Sequence, residues 1–122
     1  MTSIERPGRA ALRGSVLKRR NAMAYRDNFH LVPERMQGGV VRYIEHGIRP
    51  GHFMTHLLAN DFMAALGHAD DINQANVVNW ARFIYMHMPS SSHGSAHKVE
   101  QWIARGGLAG LASPKKEEDA NV

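Results

Sequence analysis

Between Pro33 and Gly107 apolar side chains recur three and four residues apart, the spacing that lines one face of an α-helix. Four runs carry the pattern. Met36, Val40, Tyr43 and Ile44 mark a first helix expected from Pro33 to His46. Proline suits its first turn, where the missing N–H would have no acceptor, and Gly47 supplies a stop. A second helix is expected from Pro50-Gly51 to Leu66, with Phe53, Met54, Leu57, Leu58, Phe62 and Leu66 on one face and Asn60-Asp61 interrupting it. A third opens after Asp70-Asp71, either of which can cap it, and stops before Pro89. Its stripe is Val77, Ala81, Ile84, Tyr85 and Met88. Trp80, Phe83 and Met86 extend the apolar surface around the other side, as in a helix central to a domain or held between subunits. Ser95 caps a fourth helix that turns Val99, Trp102 and Ile103 inward and ends at Gly106-Gly107. Gly38 and Gly39 inside the first helix each cost roughly 1 kcal/mol relative to alanine, which points to close approach of another backbone or of a ligand.

The pattern predicts an all-α fold: a compact domain of about four short helices, residues 31–107. A basic N-terminal arm, 1–30, and a polar C-terminal tail, 108–122, are both expected to be flexible. A short helix is expected within the arm at Ala10–Arg20. Tyr25–Val32 is expected as a turn or extended segment laying Phe29 and Leu31 on the domain. A helical core of about 75 residues has modest stability that association reinforces, so a homo-oligomer is expected.

Composition narrows the chemistry. The chain has no cysteine, which excludes disulfides, iron–sulfur clusters and thiol catalysis. No apolar run reaches membrane-spanning length, and a cytoplasmic protein without a membrane partner is expected. The net charge of +4 is uneven: residues 1–30 hold seven basic against two acidic side chains, the remainder eight against nine. The arm is therefore a candidate nucleic-acid contact.

Eight histidines include two pairs four residues apart, His52/His56 and His93/His97. A helical pair at that spacing can present two imidazoles to one metal, with His46, His87 or Asp61 as a third ligand if the fold brings one near. The His-Glu-x-x-His signature is missing, and surface histidines are the expectation: no metal, no cofactor and no catalytic residue is assigned. Ser90–Ser92 beside His93 lack the surroundings of a hydrolase nucleophile, and the glycine pairs lack phosphate-loop spacing. The best polar and aromatic cluster is Arg35, Arg42, Tyr43, His46, Asn60 and Asp61, on two consecutive predicted helices. There arginines would hold phosphates, Tyr43 would stack on a base, and Asn60 or Asp61 would read polar edges.

The residues Pro33, Arg35, Gly39, Tyr43, His46-Gly47, Pro50-Gly51, Phe53, Asn60-Asp61, Ala69-Asp70, Asn73, Tyr85, Pro89, Gly94-Ser95 and Trp102 form a pattern over Val32–Gly107. It resembles short accessory proteins encoded by bacteriophages and prophages. The resemblance implies a viral product in a bacterial cytoplasm that acts by binding host machinery or capturing a small signal. The leading expectation is therefore a non-enzymatic protein that binds a ligand or host factor, countering host defence by sequestering a nucleotide. The alternatives are a nucleic-acid binder using residues 1–30 and a metal-dependent enzyme using His52, His56 and Asp61.

Overall fold

The computed structural model describes residues 23–111. The expected helix at 10–20, most of the arm and residues 112–122 lie outside the described residues. Within them the fold is all-α, with no strand, but the helices are shorter and more numerous than four. They are α1 (Glu34–His46), α2 (His52–Leu58), α3 (Phe62–His68), α4 (Asp71–Ala75), α5 (Val77–His87), α6 (Ala96–Arg105) and α7 (Gly107–Leu111). Two 3₁₀ segments, Ala24–Leu31 and Ser90–Ser92, complete the set.

Two of the four expected helices are broken at asparagines. The second ends at Asn60, which adopts a left-handed conformation (φ 66°). The Asn60 N–H then bonds the Leu57 carbonyl and the Asp61 N–H reaches back to that of His56. Glycine commonly terminates helices in this way, and asparagine can take its place. The third kinks at Asn76 (φ −110°, ψ 15°), whose side-chain amide donates to the Ile72 carbonyl. Asp70 is the cap that starts α4, accepting the Asn73 N–H at 2.8 Å.

The N-terminal boundary also moves. Ala24–Leu31 is helical, with Tyr25 buried and Phe29 and Leu31 packed against the core. Its Tyr25 hydroxyl and Arg26 guanidinium both donate to Glu45 of α1. Burial of Glu45 works toward protonation, but these two donors overcome it and hold the carboxyl below its usual range.

At the other end, α7 occupies what the sequence suggests is tail. Leu108 packs on the core, and the backbone of Gly107 lies against that of Gly47 at the end of α1. Among the described residues Gly38 and Gly39 meet no second backbone. Their missing side chains leave room for the Arg42 guanidinium, which folds back along the helix surface.

The core joins all of these elements. Trp80 and Phe53 pack edge to face at 5.6 Å, and the Trp80 indole N–H is held by buried Asn73 at 3.0 Å. Tyr43 packs beside Trp102, donates its hydroxyl to the Ser92 carbonyl at 2.6 Å, and accepts the Trp102 indole N–H on its own carbonyl at 2.8 Å. The serine loop is thus a built part of the core edge: Ser92 is fully buried and its hydroxyl closes on the Pro89 carbonyl. No helix among the described residues is long and apolar enough to cross a membrane.

Candidate functional site

A cleft of about 210 Å³ opens where the α2–α3 turn, α5 and the loop at His93-Gly94 meet. Leu57, Leu58 and Ile84 form its apolar floor, while Phe62 and Tyr85 stand at its rim. Phe62 is 46% exposed and Tyr85 83% exposed. The α5 stripe is therefore rotated from the one the spacing suggests. Trp80, Phe83 and Ile84 face the core, while Ala81 and Tyr85 turn outward to the cleft.

The polar groups of the cleft are held by backbone geometry. Asn60 projects from its left-handed position in the turn. The loop carrying His93 is pinned to α2 by a 2.8 Å bond from the Gly94 N–H to the Leu58 carbonyl. His93 is half-buried, and burial, followed by the charge of Lys98, pushes its imidazole below the usual value. Near neutral pH the ring is thus uncharged, with one donor and one acceptor. Lys98 lies along Gly94, its Nζ 3.6 Å from where a β-carbon on that residue would stand. Lys98 does not line the cleft, but its ammonium stands beside Gly94, which does. An apolar slot with exposed aromatic rims, an amide, a neutral imidazole and one nearby cation suits a flat ring with a polar edge and an attached anion.

The six residues selected from sequence are not gathered in this cleft. Asn60 lines it. Arg35 lies on a separate shallow surface with Pro33, Glu34 and Ile72, and is paired with Asp70. Arg42 covers Gly38. His46 is exposed at the end of α1. Asp61 is exposed beside His56, its Oδ2 3.4 Å from Nδ1. Tyr43 is fully buried with its hydroxyl engaged, so neither ring face is free to stack on a base. Sequence reasoning missed Phe62, Tyr85 and His93 as site residues because the first two belong to an apolar stripe and the third to a serine-rich loop.

The histidines are also rearranged. His93 is extended and outside α6, so it forms no helical pair with His97. His52 and His56 do share α2, and His68 of α3 meets both. As they stand, no three His, Cys, Asp or Glu side chains among the described residues converge on one metal position. Comparisons with family models, curated proteins and solved structures give no match for this chain.

Proposed function

We propose that this is a small non-enzymatic binding protein that sequesters a nucleotide-type ligand in the Tyr85 cleft. The base lies between the Tyr85 and Phe62 rims, Asn60 and His93 read its polar edge, and Lys98 meets the phosphate. The observation that carries the reading is Tyr85, an aromatic ring left 83% exposed at the mouth of an apolar slot beside a half-buried neutral imidazole. The resemblance to phage products supplies the setting, capture of a host defence signal in the bacterial cytoplasm. Exposed Val78 and Met86, on the same helix as Tyr85, support self-association through α5.

Isothermal titration of the purified protein with mononucleotides and cyclic dinucleotides tests the proposal. Stacking on an aromatic side chain is worth about 1–3 kcal/mol per base, so Tyr85→Ala weakens affinity about 5- to 150-fold. Arg42→Ala leaves it unchanged. Unaltered affinity in Tyr85→Ala, or a native protein that binds no nucleotide, refutes the reading.

A further inference from the structure

The turn at Asn60 folds α3 back on α2 and brings His68 to the pair one turn apart on α2. The His52 and His68 ring centres are 5.1 Å apart, and those of His56 and His68 5.2 Å. A metal bound at about 2.0–2.1 Å by three imidazole nitrogens in tetrahedral array places their ring centres roughly 5 Å apart. The third spacing, His52 to His56, is that of neighbours on one helix face. Asp61 lies against Nδ1 of His56. At 3.4 Å this contact is not a hydrogen bond in the present ring orientation; closing it as His56 turns keeps the proton on Nδ1 and leaves the Nε2 lone pair for a metal, the usual arrangement around histidine-bound zinc.

We propose that His52, His56 and His68 form a three-histidine site for Zn²⁺ or a neighbouring divalent transition metal, with Asp61 as the positioning residue for His56. The His56 and His68 rings now lie parallel, 3° apart, and must turn about their Cβ–Cγ bonds to converge. His52 and His68 are exposed and His56 is partly exposed, so the rings turn at the surface and not inside the packed core. The bound ion would tie α2 to α3 across the Asn60 turn and leave a fourth position open. This site is independent of nucleotide binding.

The test is titration of metal-free, untagged full chain with Zn²⁺, and with Co²⁺ followed by visible absorption. One ion binds per chain. His52→Ala, His56→Ala and His68→Ala each weaken binding at least tenfold, and His97→Ala changes nothing. Co²⁺ gives the intense bands of a tetrahedral site, and His68→Ala loses them. Asp61→Asn keeps one ion per chain but weakens it about 10- to 100-fold, the usual effect of losing an outer partner. Asp61→Glu recovers part of that loss, with the unfolding midpoint of the metal-free protein unchanged. Native affinity in His68→Ala, an equal loss in His97→Ala, or no stoichiometric binding overturns the proposal.

Discussion

Gly47→Ala is expected to remove a large share of the domain's stability. Gly47 stands at φ 69°, where a β-carbon costs about 1–2 kcal/mol. That carbon would lie 2.8 Å from the Gly107 nitrogen and 2.9 Å from the Gly106 Cα, well inside van der Waals contact. Neither neighbour is a flexible side chain, so α7 must retreat from the end of α1 and loosen Leu108 from the core. Partial exposure of such a side chain adds about 1–2 kcal/mol. The total of about 3 kcal/mol is a large share of a stability near 5–15 kcal/mol, and lowers the melting temperature by about 12–24 °C in a domain of this size. Thermal and urea unfolding followed by far-ultraviolet circular dichroism measures it. Gly47→Asn separates the two causes, because asparagine tolerates the left-handed backbone but still meets α7. It should lose about half as much. Gly67→Ala is the control of opposite sign: it is exposed in α3 with nothing among the described residues near its absent β-carbon, and gains up to about 1 kcal/mol. A native midpoint in Gly47→Asn would refute the close crossing and leave helix termination as the glycine's whole role.

Tyr43→Phe removes the donor to the buried Ser92 carbonyl and should cost about 1–3 kcal/mol in urea unfolding, with no change in ligand affinity. A change in affinity would return Tyr43 to the binding site. His93 has a folded-state value below the ordinary 6.5, so the unfolded chain binds the proton more readily. Its contribution is complete above about pH 6.5 and falls as acidification carries the folded imidazole through its lowered value. Urea midpoints compared at pH 7.5 and 5.5 should show a smaller drop in His93→Gln than in the native protein.

The all-α class was legible because a three-and-four spacing leaves few other ways to bury Val40, Tyr43 and Ile44, or Val99 and Trp102. The helix breaks were not. Asn60 and Asn76 are weak breakers by composition, and only their backbone conformations reveal that chain direction changes there. Tyr43 carried two incompatible signals, a place in a buried stripe and a stacking ring beside arginines, and burial decides between them. Tyr85 is the reverse case. Both α5 faces read as apolar, so spacing could not say which one the core would take. His68 has no histidine partner on α3 and joins the others only through the Asn60 turn, which no local spacing encodes.

Tyr43 also has a consequence for the order of folding. Its hydroxyl closes on a residue 49 positions later and its carbonyl on one 59 positions later. Loops of that length are slow to close, since the chain loses its freedom before the contacts form. During synthesis, at about 5–20 residues per second, α1 leaves the ribosome several seconds before Trp102. Until then its apolar face has no lid from α6. The domain completes itself only once Trp102 has been made, and a chain stopped before Trp102 presents that face to whatever it meets first.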